Sequence, residues 1–394
     1  MKATNILLAI SIVAVFVASA YVIFAEDVDA EPVSGEAGSN ATWTLEGDTL
    51  TIEGTGWIGG EDLPKSGYKH VVIEEGITEV IDRTFYDCPA ESIEFPDSLT
   101  SIGNIWGAFQ GAQFRELVIP DGVTKLTSIR DMPNLETLTL GKGITSLGNE
   151  SANGDSLDEG YIPVIDNCPS LKEINCPYVT NVGSGVVTDC PSLKSIDLSS
   201  VTSIYGSFND GSSVVYRPFE NTGLEFIDLS SLTRIPNSAF SDMKTLKEVE
   251  LSEDLEFIGQ RAFSRSGLTS VSIPDGVTLG MMAFYNCENL ITVELGDVRT
   301  IPDLCFDECY NLKNVTLAEG ITTIGAQAFH ACWWLESIAI PKSVTSIGYV
   351  AFSGCASLKE IYIYGNPDIA DGGNAAFSLS MGETHTTVYT DNPG

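Results

Sequence analysis

Apolar positions along the chain fall into a short motif that recurs at an almost fixed interval. From Ser238 onward the copies read "SAFSDMKTLKEVELSEDLEFIG", "RAFSRSGLTSVSIPDGVTLG", "MAFYNCENLITVELGDVRTIP", "LCFDECYNLKNVTLAEGITTIG", "QAFHACWWLESIAIPKSVTSIG" and "VAFSGCASLKEIYIYG". Their phenylalanines stand at Phe240, Phe263, Phe284, Phe306, Phe329 and Phe352, so successive copies are 21 to 23 residues apart. Each unit runs Phe, two residues, Cys or a substitute, two residues, Leu, and then apolar and polar residues in alternation. That alternation has the period of a strand, as from Ile338 to Ile340. A second short apolar segment follows a turn, as at Val344 and Ile347. One such unit cannot bury its own apolar edge, but stacked copies can, which predicts a solenoid whose interior is a set of columns of like residues.

Upstream the spacing is looser. Phe85, Phe109, Ile129, Ile165, Val187 and Phe219 take the Phe position there, and Phe377 takes it in the last copy, giving about 13 turns over residues 72–394. Two stretches exceed the standard link: "NESANGDSLDEGYIPV" after Gly148 and "YGSFNDGSSVVYRP" after Ile204. These insertions, near residues 149–161 and 205–216, fall at the same point of the repeat. They are therefore expected to leave one face of the solenoid about two turns apart, either as part of a binding surface or as drift in a tolerant loop.

The N-terminal region does not follow the repeat. In residues 41–71, Trp43 and Leu45 alternate before Glu46-Gly47-Asp48 and Leu50 and Ile52 after it, which predicts a β-hairpin covering the open first turn. Residues 26–40 have the composition of a linker. Residues 1–25 hold an uncharged apolar run from Ile6 to Ala25, long enough for either a cleaved signal peptide or a retained single membrane anchor. Either outcome places the rest of the chain outside the membrane.

Twenty Lys plus Arg against 54 Asp plus Glu give a formal charge of -34. No basic field exists to displace counterions from phosphates, so nucleic acid is disfavoured as a partner, and the acidity suggests a well-solvated surface with cations or basic partners as its neighbours. Six cysteines, Cys88, Cys168, Cys190, Cys287, Cys309 and Cys332, lie three residues after the Phe position, with Cys355 as a seventh; Met132 and Met243 occupy the same slot elsewhere. A slot that accepts Met is an apolar core slot, although stacking also brings Cys309 near Cys287, and Cys332 near Cys355, where disulfides are the alternative. No metal-ligand spacing, nucleophile elbow or cofactor motif occurs, and no cofactor or catalytic residue is expected. His330 follows Phe329 at a position held elsewhere by Ser, Tyr or Asp and reads as an exposed bystander.

The motif "AF..C..L..I.IP..VT.IG", almost intact from Ala328 to Gly348, resembles the leucine-rich repeats of BspA-type surface proteins. "TWTLEGDTLTIEGTG" is similar to the segment that often precedes those repeats. The resemblance implies a leucine-rich repeat solenoid, β-rich, with short strands joined by turns or short helices and capped by the small N-terminal hairpin. It further implies a secreted or surface-attached, non-enzymatic scaffold for adhesion or recognition of an extracellular protein or glycan. A structural envelope component without a specific ligand is the alternative, and a surface-acting hydrolase a remote third. The residues singled out for an interaction surface are Trp333 and Trp334, with Tyr310, Tyr205, Tyr216 and Tyr161. Other turns place small or polar residues at the Trp333-Trp334 position, so the pair is expected either to pack on the neighbouring Tyr310 or to meet a partner. The sequons at Asn40, Asn149 and Asn314 are candidate glycosylation sites whose use depends on the host.

Overall fold

The computed structural model describes residues 32–38, 40–59, 63–103, 107–126, 128–148, 165–206, 217–370, 376–377 and 387–390. The leader or anchor expected at 1–25 lies outside them. So does most of both insertions.

The described residues begin with three antiparallel strands, β1 (Val33–Glu36), β2 (Ala41–Glu46) and β3 (Thr49–Gly54). Trp43 faces Ile52 and Leu45 faces Leu50 across the β2–β3 pair, whose link carries Gly47 in the left-handed region at φ 59°. From β3 onward every paired strand is parallel: β3 pairs with His70–Ile73, which pairs with Ser92–Glu94. The N-terminal region is therefore no separate hairpin cap. It has a third strand, drawn from the stretch read as a linker, and it belongs to the first sheet of the solenoid.

Most later turns contribute two strands, and four turns add a third at the Phe position, namely Ile129–Arg130, Ile165–Asp166, Val187–Thr188 and Phe219–Glu220. The longer has up to four residues, such as Ser337–Ile340, and the shorter two, such as Ser346–Ile347; these pair in register with strands one turn away, Ser337–Ile340 with Glu360–Ile363 and Ser346–Ile347 with Thr323–Ile324. Along the longer strands alternate residues point inward, so Val271, Val293 and Val315 are aligned, as are Ile338 and Ile361. In the irregular region, Ile129 pairs with Ile165, Ile165 with Val187 and Val187 with Phe219, which fixes the repeat register there.

The expectation of short helices is overturned, because no α-helix occurs among the described residues. The arc around each Phe is made of tight turns instead. Residues two before and two after Phe306, Leu304 and Glu308, both have φ 59°, and the same alternation recurs around Phe240, Phe263, Phe284 and Phe329. Left-handed residues stop a helix from propagating, and they turn alternate N–H groups along the stack. Leu304, Phe306 and Glu308 donate to the carbonyls of Ala326, Ala328 and His330 at 2.8–2.9 Å. A helix would turn those donors inward and cut the turns apart. Asp and Asn, which tolerate this conformation best, fill the second position at Asp87, Asp131, Asn167, Asp189, Asn221, Asp242 and Asn286.

The core is columnar. Phe219, Phe240, Phe263, Phe284, Phe306, Phe329, Phe352 and Phe377 form one continuous stack with near-parallel rings, at 5.3–5.4 Å from Phe240 onward. All nine cysteines are free and buried. Those in the slot after Phe do more than fill space. Cys287, Cys309, Cys332 and Cys355 each donate a thiol hydrogen bond at 3.1–3.3 Å to the carbonyl of the Phe one turn earlier. A small side chain with a weak donor suits a site that is apolar except for one carbonyl. Cys305 takes the column held by Ala262, Ala283 and Ala328, and Cys176 is a buried residue just after the strand Glu173–Asn175 whose thiol meets the Asp197 carbonyl at 3.1 Å. Burial pushes the thiols of Cys305, Cys309 and Cys332 upward, and that of Cys176 to about 12.

Truncating Phe306 to Ala removes the middle of the stack and should cost about 3–5 kcal/mol, read as a lower urea midpoint. Because all nine thiols are buried, the native protein should be unreactive towards a disulfide reagent at pH 8, with all nine cysteines reacting on unfolding. A thiol that reacts readily in the native state would contradict the column assignment.

Candidate interaction surface

The segment from the Cys slot to the next long strand crosses the outside of the solenoid. In successive turns it carries Glu288-Asn289, Tyr310-Asn311, Trp333-Trp334 and Ala356-Ser357. Its backbone is tied to both neighbours: Trp334 N–H donates to the Tyr310 carbonyl at 3.3 Å, and Ser357 N–H to the Trp333 carbonyl at 2.9 Å. Hence the tryptophans sit on a fixed frame. The small residues of the following turn leave the pair open on that side.

Trp333 packs on Tyr310, with ring centroids 4.4 Å apart and planes tilted by 37°. The Lys313 ammonium lies 5.6 Å from the Trp334 ring, a cation–π contact. Even so, each tryptophan keeps 50% of its surface exposed. Packing against the neighbouring turn accounts for one face of Trp333 and leaves a broad aromatic area in water.

Beneath this ledge lies a polar cluster. Tyr285 donates its hydroxyl to Glu308 at 2.9 Å, and Asn286 donates its amide to the same carboxylate at 3.0 Å. The Tyr285 hydroxyl is pushed up to about 12, first by burial and then by Glu308; that of Tyr310 rises for the same reasons. His330 is not a bystander. Its Nδ1 lies 2.7 Å from Asp307 Oδ1, and Asp307 is only 5% exposed. Burial raises the Asp307 carboxyl, and the contact with His330 opposes the rise. The two occupy successive places in one column, the residue after Phe, and a column is where a sequence reader could have sought the pairing. The same column brings Arg130 within 3.0 Å of Asp166, and Thr188 within 2.6 Å of it.

The six aromatic residues singled out in the sequence do not form one site. Tyr310, Trp333 and Trp334 are brought together. Tyr205 is half-buried several turns away, its N–H bonded to the Val182 carbonyl at 2.8 Å. Tyr161 and Tyr216 lie outside the described residues, as does Asn149. The flanks of the insertions are described: they leave from Ser146–Leu147 and Ser203–Ile204, strands of one sheet separated by Asn181–Val182. Asn40 and Asn314 are exposed, Asn314 at the start of the strand Asn314–Leu317. Exposed aromatics that the sequence reading did not single out include Trp57, Tyr86, Tyr178, Phe226, Tyr349, Tyr364 and Tyr389, the last stacked on the half-buried Tyr362 at 4.7 Å. Among the described residues no group of three or more His, Cys, Asp or Glu is placed to hold a metal ion, and no helix is long and apolar enough to cross a membrane.

The family model for the BspA type leucine rich repeat region matches residues 63–166, 162–214, 212–332 and 277–388. Among solved structures, a leucine-rich repeat protein from Bacteroides ovatus is similar at 18% identity and a TM-score of 0.53, over 93% of this chain and 100% of that one. A leucine-rich repeat protein from Eubacterium ventriosum matches at 21% identity and a TM-score of 0.38, over 82% of this chain and 95% of the other. A leucine rich cell surface protein from Faecalibacterium prausnitzii matches at 18% and 0.33, over 92% and 96%. No curated protein matches the chain.

Replacing His330 by Ala strands the buried Asp307 carboxylate and should lower stability by about 1–3 kcal/mol at neutral pH. A carboxyl with a raised folded-state value binds protons more tightly folded than unfolded, so its burial costs most above that value. The deficit of H330A should therefore shrink as pH falls through the raised Asp307 titration, which melting points between pH 4 and 8 would report. A deficit independent of pH would assign the loss to packing alone.

Proposed function

Because the chain belongs to the BspA type leucine rich repeat region family, we propose that it is an exported, non-enzymatic recognition scaffold that holds an extracellular protein or glycan against its solenoid face. The observation that carries this reading is the Tyr310–Trp333–Trp334 ledge. Two tryptophans, each half in water, stand on backbone hydrogen-bonded to the turns on both sides. Exposed aromatics on a rigid frame lose little conformational freedom on binding, and they dominate the energetics of recognition surfaces. The chain's charge of -34 favours partners with basic surface and keeps the scaffold itself soluble. In this reading the N-terminal apolar run directs export and either is removed or remains as the anchor.

The test is binding of the purified protein to extracellular protein extracts and to arrayed glycans, compared with W333S/W334S. Saturable binding that weakens at least about tenfold in the double variant, with the melting temperature nearly unchanged, supports recognition through the ledge. A double variant that binds normally but melts earlier would make the pair a packing feature only.

A further inference from the structure

The two-residue strands stack into a ladder that is interrupted three times. It breaks between Ser203–Ile204 and Arg234–Ile235, between Thr278–Leu279 and Thr300–Ile301, and between Lys125–Leu126 and Ser146–Leu147. The first two breaks have a plain chemical cause. Pro236 and Pro302 follow the later strand in each case, where other turns place a glycine whose N–H bonds to the turn before. Gly183 donates to Leu147 and Gly259 to Ile235 in this way, at 2.6 and 2.8 Å.

The third break has no proline. Gly148 follows Leu147, yet among the described residues neither its N–H nor that of Thr145 has a backbone partner, and no donor reaches the Thr124 or Leu126 carbonyl. One turn later the equivalent bonds, Thr180 to Thr145 and Gly183 to Leu147, are made at 2.9 and 2.6 Å. The sequence supplies a cause. In regular turns five positions separate the short strand from the Phe slot, as from Ile258 to Phe263 or Ile324 to Phe329, but only three separate Leu126 from Ile129. The shortened link draws Lys125–Leu126 out of line with Ser146–Leu147 while the longer strands on either side stay paired, Glu116–Ile119 with Thr137–Leu140.

What results is a cavity of about 490 Å³ between the two strands. Hydroxyls of Ser101, Thr124, Thr145 and Ser146 line it. Leu126 and Ile144 supply apolar surface, and Leu126 is half-buried where its counterparts Ile102, Leu147 and Val182 are fully enclosed. Lys125 and Glu79 complete the rim. Among the described residues the two strands facing this cleft make no backbone hydrogen bond to each other, and Leu126 forms part of its lining.

We propose that this cleft is a strand-docking site, which takes an extended segment of a partner polypeptide as an added strand. The open groups are backbone donors and acceptors at strand spacing, which an extended backbone satisfies. The partner segment is basic at its ends, since it approaches a chain of net charge -34, and carries a small apolar residue between them. This site lies turns away from the tryptophan ledge, and the proposal does not depend on the ledge binding anything.

The experiment is hydrogen–deuterium exchange of the whole protein with and without the end-blocked peptide Lys-Thr-Val-Thr-Lys. A control peptide, Lys-Pro-Val-Pro-Lys, lacks two of the backbone donors. In the free protein, residues 145–148 should exchange at least about tenfold faster than 180–183, and the first peptide, not the control, should slow them severalfold. A second variant inserts Gly-Ala between Leu126 and Ile129 to restore the regular spacing. It should protect residues 145–148 without peptide and abolish the response. Equal protection of the two segments in the free protein, equal effects of the two peptides or none from either, or a response that survives the insertion would each overturn the proposal.

Discussion

In-register hydrogen bonding between successive turns is the constraint on which the rest of this structure depends. Each turn is too small to enclose its own apolar residues, so burial is achieved only when the next turn lies directly against it. The bonds from Leu304, Phe306 and Glu308 to Ala326, Ala328 and His330 set that distance and that register together. Once they are made, like residues must superpose. The phenylalanine stack, the thiol-to-carbonyl contacts and the polar ladders beside them all follow from the same registration.

The backbone carries a cost for this arrangement. Side chains such as Leu304, Met282 and Val350 are held in the left-handed region, where an L-residue with a bulky side chain is disfavoured by about 1–2 kcal/mol. Inter-turn hydrogen bonds and continuous burial of the Phe column offset it at every turn. Stability in such a stack is a sum over neighbouring interfaces, so defects stay local. The chain can therefore carry two long insertions and a shortened link without losing the fold. The same tolerance opens a cleft beside Leu126 while the longer strands next to it remain paired.

Function in such a molecule is written on positions that the register leaves free. The column after Phe accepts Ser, Thr, Tyr, Asp, His or Arg because its backbone is already fixed. There the molecule builds pairs such as Asp307–His330 and Arg130–Asp166. The segment before the long strand accepts Trp333 and Trp334 for the same reason. A residue there acts on a rigid support regardless of its own conformational preference.

Much of this was legible in the sequence. The 21 to 23 residue period, the Phe, Cys and Leu columns and the placement of Ile129, Ile165 and Val187 in the Phe slot follow from apolar periodicity, because burial leaves few residue types acceptable at a stacked position. The sequence also marked Trp333-Trp334 as the place where the pattern departs from its own rule. Other features were settled only by the tertiary structure. Whether the arc around Phe forms a helix or tight turns depends on φ at positions occupied by Leu, Gln, Met or Val, residues that do not announce a left-handed conformation. The partnership of His330 with Asp307, the packing of Trp333 on Tyr310 and the unpaired edges beside Leu126 join residues about one turn apart in the chain. Their contact exists only after the inter-turn register is fixed, and a period read from sequence gives the spacing of turns without giving the distances between them.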